Sequence, residues 1–135
     1  MQHEVEKAWG YWLNQYGWDW FVTLTFKHPV TKRQAFKRFN RWKVQLKKAS
    51  GSRIHYIMVM EDHKYRGSIP HLHLLLSGVN GENQHEWQRQ WCLTNGLSKI
   101  NRYNPKLGAS YYIGEKLANE DAEVIFSKGF RRVTS

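Results

Sequence analysis

The chain has 135 residues, with 21 Lys and Arg against 11 Asp and Glu, a formal charge of +10 and 15% aromatic residues. That length bounds it to one domain over residues 1–135 with one core, and the aromatic content excludes a disordered basic tail. The charge points to a polyanionic partner, nucleic acid before an acidic membrane surface. The single Cys92 excludes an internal disulfide and fits a reducing cytoplasm. No segment reaches the roughly 18 apolar residues of a membrane-spanning helix and no signal-peptide pattern opens the chain, so a soluble protein is expected.

In chain order, Val5, Ala8, Trp9, Trp12, Leu13 and Tyr16 recur at helical spacing and predict an amphipathic helix over 3–16, ended near Gly17. "WDWFVTLTF" (18–26) predicts a strand, with Val22, Leu24 and Phe26 on one face and Thr23 and Thr25 on the other. Thr31 with Gln34 forms a capping-box pattern. The helix it opens runs to about Lys48, buries Phe36, Phe39, Trp42 and Leu46, and shows solvent a basic face. Strands are expected over 53–62 and 71–77, antiparallel to one another across "HKYRGSIP". A short helix over 83–93, with Trp87 and Trp91 one turn apart, closes at Asn95-Gly96. A strand over 97–103, a helix over 107–118 and a strand over 122–127 complete the chain. There is no internal repeat, low-complexity tract or linker. The order suggests an α+β domain with one central sheet and helices packed on it.

Chemistry concentrates in "SIPHLHLLLS" (68–77). Strand alternation sends Leu72, Leu74 and Leu76 into the core and turns His71 and His73 together to the other face, roughly 7 Å apart along the strand. On the preceding strand Glu61 lies near the turn, where pairing would bring it level with the histidines. Two imidazoles and a carboxylate suit Mg²⁺, Mn²⁺ or Zn²⁺ and leave coordination positions open for a substrate. From spacing alone, a half-exposed strand face explains the histidine pair equally well. In "GASYYIGEKL" (108–117) Tyr112 shares a helical face with Lys116, and Tyr111 shares another with Glu115. A tyrosine beside a Lewis-acidic metal is a possible nucleophile toward phosphorus. Core packing is the plainer role for at least one of the pair, and Tyr111, rotated by about 100°, is expected nearer the sheet.

"FVTLTF", "VMED…RGSIPHLHLLL" and "GASYYIGEKL", in that order, resemble the three motifs of HUH endonucleases, closest to the rolling-circle replication initiators (Rep proteins) of phages and plasmids. The resemblance covers roughly 18–130. It implies a five-stranded antiparallel sheet, RRM-like, with helices around it and the metal and tyrosine on one face. It also implies cleavage and rejoining of single-stranded DNA at a replication origin, in hairpin form or not, through a 5′-phosphotyrosine and a free 3′-OH. Residue by residue, it makes His71 and His73 ligands of Mn²⁺ or Mg²⁺, Glu61 the third ligand, Tyr112 the nucleophile and Lys116 the phosphate-orienting cation, with Tyr111 as the alternative nucleophile. Many relatives place Lys three residues after the first tyrosine, or a second tyrosine four after it; here Glu115 and Lys116 hold those positions. A helicase or host replication proteins are the implied partners; no membrane is. Lys64, Tyr65 and Arg66 flank the expected site and are expected to touch DNA. Arg131 and Arg132 belong to a backbone-contact segment or a frayed terminus. The basic helix over 32–48 fits DNA contact and a solvated face equally. Two rival functions remain, a single-tyrosine HUH transposase and a non-catalytic nucleic-acid-binding module.

Overall fold

Trp20–Leu24 alternates buried and half-exposed residues and forms β1. The computed structural model describes residues 8, 10–63, 69–117 and 123–128. Within them, α1 spans Lys32–Ser50, β2 His55–His63, β3 Ile69–Ser77, α2 Gln84–Thr94, β4 Ser98–Arg102, α3 Ala109–Leu117 and β5 Glu123–Phe126. Of the first expected helix, residues 8 and 10–13 are helical, and 1–7 and 9 lie outside the described residues. β1 is shorter than expected because Trp18 is not part of the ladder: its indole Nε1 donates to the Leu13 carbonyl at 2.9 Å. The strands form one sheet in the order β4-β1-β3-β2-β5, every neighbouring pair antiparallel. The fold is the expected one, α+β with a five-stranded antiparallel sheet flanked by helices.

α1 begins at the Thr31 capping box: Thr31 Oγ1 accepts from the Gln34 amide at 3.1 Å and Gln34 Oε1 accepts from the Thr31 amide at 2.9 Å. Its buried Ala35, Phe39, Trp42 and Leu46 pack on one sheet face, made by Val22, Leu24, Met58, Met60, Leu72, Leu74 and Leu76. Phe36, expected in this core, is half-buried at its margin. α2 adds Trp91, fully buried, which meets Phe26 and Trp42 edge-on at 5.4 and 6.2 Å and donates its Nε1 to the Thr25 carbonyl at 2.9 Å.

The opposite face has its own smaller core. Leu13 and Trp18 from one side, with Ala109 and Ile113 of α3, cover Ile57, Val59 and Leu75. This second layer explains why β3 stops alternating at Leu75 and reads as buried on both faces there. Toward the β2–β3 turn the cover ends, and His71 and His73 are left half-exposed. No helix among the described residues is long and apolar enough to cross a membrane.

The chain leaves β3 through Gly78, held in the left-handed region at φ 92°. Asp19 Oδ2 accepts the backbone amides of Gly78 and Val79 at 2.8 and 3.0 Å and so fixes this exit. A Cβ at Gly78 would strike the Arg53 carbonyl oxygen, whereas one at Gly51, also left-handed at φ 67°, meets nothing. Gly51→Ala should therefore cost about 1 kcal/mol, the left-handed penalty alone. Gly78→Ala should cost more than about 2 kcal/mol, because strain and a backbone clash add. Urea unfolding of the two variants checks the ranking, which equal costs would contradict.

Candidate active site

Register assembles the site. β3 lies between β1 and β2, so His71 stands opposite Glu61, and His73 stands between Thr23 and Val59. Side chains at paired positions point to the same face, which puts Thr23, Glu61, His71 and His73 together on the face away from α1. The two imidazole centroids are 6.5 Å apart with planes at 58°.

α3 lies across this face and contacts β2 and β3. Ala109, Tyr112, Ile113 and Lys116 follow the i, i+3, i+4, i+7 pattern and form its sheet-facing stripe. Ala109 and Ile113 anchor the helix in the second core, and their position aims Tyr112 and Lys116 at the exposed end of β2 and β3. The Tyr112 ring meets the His73 ring edge-on at 5.3 Å and tilts against Phe21 at 6.3 Å. Its hydroxyl donates to Glu61 Oε1 at 2.8 Å. Lys116 Nζ reaches the same carboxylate oxygen at 3.4 Å and lies 5.6 Å from the Tyr112 ring centroid.

Tyr111 is on the other side from the one expected: 42% exposed, with its ring laid against Gly10 rather than the sheet. The cause is helical phase: once Ala109 and Ile113 are buried, position 112 faces the sheet and position 111 turns toward the N-terminal segment. Gly10 has no side chain to obstruct the ring there. Lys64, Tyr65, Arg66, Arg131 and Arg132 lie outside the described residues.

Electrostatics follow from this geometry. Burial alone would raise the Glu61 carboxyl, but the Tyr112 hydrogen bond and the charges of Lys116 and His73 outweigh it and hold Glu61 below the usual carboxylate range. Burial first, then the hydrogen bond to Glu61 and the charges of Glu61 and Glu115, push the Tyr112 hydroxyl well above the ordinary phenol range. In the protein as it stands, Tyr112 is a neutral donor to an ionised carboxylate.

One contact had no signal in the spacing of motifs. Thr23 Oγ1 lies 3.3 Å from His73 Nδ1. A His73 tautomer that donates from Nδ1 to this hydroxyl presents Nε2 as the lone-pair nitrogen, the usual way an outer partner orients a metal-binding histidine. A strand partner for Thr23 could have been guessed from its outward position, but not that the partner would be β3.

The donor types suit a divalent cation, and pairing sets Glu61 level with His71, with His73 two residues along on the same face. The arrangement as it stands is not a closed ligand set: among the described residues no group of three His, Cys, Asp or Glu is placed to hold a metal ion. Glu61 is directed at Tyr112 and Lys116 instead. Two rings ligating one ion at adjacent positions and ordinary metal–nitrogen distances have centroids ~5 Å apart. The observed 6.5 Å therefore asks for a modest rotation of the imidazoles.

The shifts have a definite sign in pH. Glu61, depressed in the folded state, contributes stability above the ordinary carboxylate range and loses it as pH falls through its lowered value. Tyr112, raised in the folded state, contributes up to the ordinary phenol value near 10 and loses its share as pH climbs from there through the raised one. In metal-free protein, Glu61→Gln keeps an acceptor for the hydroxyl and removes the charge, so Tyr112 should titrate at lower pH than in the parent. Ring-carbon NMR of Tyr112 across alkaline pH reads this directly, and an upward or absent shift would contradict the geometry.

A family model described as a replication-associated protein of the ORF2 type matches residues 19–120. No curated protein and no solved structure matches significantly. The matched span runs from the entry of β1 past the end of α3 and so contains Thr23, Glu61, His71, His73, Tyr112 and Lys116. With most of its length covered, including every strand but β5, the chain belongs to this ORF2-type family of replication-associated proteins.

Proposed function

We propose that the protein is a single-stranded DNA nickase and strand-joining enzyme that initiates rolling-circle replication, with Tyr112 as its nucleophile. The observation that carries this reading is the junction at Glu61, where one carboxylate holds both the Tyr112 hydroxyl and the Lys116 ammonium beside His73. A core tyrosine would have no use for a carboxylate, a lysine and a histidine at the open end of a sheet. Membership of a replication-associated family supports DNA as the substrate class.

In the proposed reaction Tyr112 Oη attacks the scissile phosphorus, the Oη–P bond forms, and the P–O3′ bond breaks. Glu61 Oε1 already accepts from the Tyr112 hydroxyl, oxygen to oxygen 2.8 Å, and takes the proton as the proposed attack proceeds. The departing 3′ oxygen leaves as a hydroxyl after protonation from solvent. Lys116, at the same carboxylate, supplies positive charge for the non-bridging phosphate oxygens. Phe21 and His73 pack against the phenol ring and limit the directions in which it can move. A neutral phenol with a raised pKa is a poor nucleophile, and a divalent cation held by His71, His73 and Glu61, Mn²⁺ or Mg²⁺, would supply the missing Lewis acidity at the phosphate. One phosphodiester is exchanged for another, so the released 3′-OH can attack the phosphotyrosine and reseal the strand.

Tyr112→Phe removes one hydroxyl and keeps the ring, so it should abolish the covalent protein–DNA adduct while leaving thermal stability nearly unchanged. Lys116→Ala should slow adduct formation by about 100- to 1,000-fold without stopping it, the range for one hydrogen-bond donor to a developing charge. Incubation with labelled single-stranded origin DNA and Mn²⁺, followed by peptide mapping, decides the assignment. An adduct on Tyr111, or an undiminished adduct in Tyr112→Phe, would overturn it; no adduct with any DNA would leave a binding module.

A further inference from the structure

α1 carries Lys or Arg at positions 32, 33, 37, 38, 41, 43, 47 and 48 and no Asp or Glu. Arg33, Lys37 and Arg41 recur every fourth residue and are all exposed, so they form one straight row with steps of ~6 Å. Beside this row, between α1 and α2, lies a groove of about 390 Å³ lined by Arg38, Arg41, Gln45, Gln90, Thr94 and Asn95 as well as two tryptophans, with no carboxylate among its walls. The larger cavity elsewhere in the fold, about 450 Å³, includes Asp19 and Glu82 in its lining and has no such sign preference. Among the described residues no ion pair engages Arg38 or Arg41, so neither guanidinium is neutralised by those residues. The groove is also firmly built: Trp42 Nε1 donates to the Trp87 carbonyl at 3.1 Å and so ties α1 to α2 across its floor.

Its place in the fold gives the groove a meaning separate from Tyr112. α1 covers the sheet face made by Val22, Leu24, Leu72 and Leu74, whereas Glu61, His71 and His73 emerge on the opposite face. A strand seated at Tyr112 cannot lie in the groove without turning round a sheet edge.

We propose that α1 and the α1–α2 groove bind the phosphate backbone of a second DNA segment, on the face of the sheet opposite Tyr112. Guanidinium pairs and amide donors are the chemistry that takes phosphodiester oxygens. The row is straight and fixed along ~12 Å of a rigid helix, so it matches a stiff backbone better than one that must first be ordered. Double-stranded DNA is therefore the expected source of those phosphates, such as the duplex flanking a nick site. This inference rests on DNA as the partner and not on cleavage.

The test uses the full chain, a duplex of about 20 base pairs and a single strand of equal length, each followed by fluorescence anisotropy over a salt series. Each phosphate contact contributes about 0.9 to the log–log salt slope on duplex, so Arg38→Gln/Arg41→Gln should flatten that slope by about 1.8 and weaken duplex binding about 30-fold near 0.15 M salt. Arg38→Lys/Arg41→Lys should keep most of the slope, and both variants should form the Tyr112 adduct on a short single strand at the parent rate. A larger loss on the single strand than on the duplex would keep the site and assign it to a single-stranded segment. Unchanged affinity and slope on both DNAs would overturn the proposal. So would tight binding of the parent to anionic phospholipid vesicles that vanishes in the Gln variant, which would make the surface a membrane contact. Absence of adduct with duplex binding intact would instead sink only the nickase reading.

Discussion

A one-residue slip of β3 against its neighbours would turn His71 and His73 into the apolar core and expel Leu72 and Leu74 to the other face. Everything proposed for this protein depends on that slip not occurring. Leu72, Leu74 and Leu76 are fully buried beneath α1, and a slip would carry two of them to half-exposed positions while burying two imidazoles. At about 1.5–3 kcal/mol for each large apolar side chain, the penalty far exceeds anything a surface contact could offset. The site is therefore positioned by core packing: the leucines hold the register, and the register brings Glu61 and Thr23 to the histidines.

At the junction itself, a single carboxylate serves several neighbours. Glu61 accepts from Tyr112, pairs with Lys116 and senses the charge of His73. These contacts cannot all persist while the same oxygen ligates a cation and releases a phenol for attack. Under the proposed reaction the arrangement is a resting one, in which Tyr112 is neutral and the charges are mutually satisfied. A site built this way holds its reactive group in place without leaving a buried charge unmatched. The proposed reaction would then require an exchange of partners at Glu61, not a rearrangement of the sheet. The anchors Ala109 and Ile113 keep α3 where that exchange is short-range.

Much of this was legible in the chain because alternation and helical spacing are local signals. The order of elements, the outward turn of His71 and His73, and the shared face of Tyr112 and Lys116 all follow from periodicity. The features that were not legible depend on how distant elements meet. Which tyrosine faces the sheet turns on the phase of α3, set by Ala109 and Ile113, and on the bare backbone at Gly10 that receives Tyr111. The Thr23–His73 contact requires β1 to pair with β3, although β2 and α1 intervene in the chain. Leu75 reads as a residue of the histidine face and is nonetheless fully buried, because a second core forms there from the N-terminal segment and α3. The three motifs made the family recognisable; the common attachment of Tyr112 and Lys116 to Glu61 came only from the assembled fold.

The central claim, that His71, His73 and the Tyr112 junction form one divalent-cation site, is tested most directly by substoichiometric Mn²⁺ added to isotope-labelled protein. Paramagnetic broadening falls off steeply with distance and needs no DNA and no turnover. The account predicts that the His71 and His73 side-chain signals vanish first, with the Tyr112 ring next, while those of His28 and His85 stay sharp. Broadening centred on another histidine, or uniform weak broadening with none selected, would contradict it.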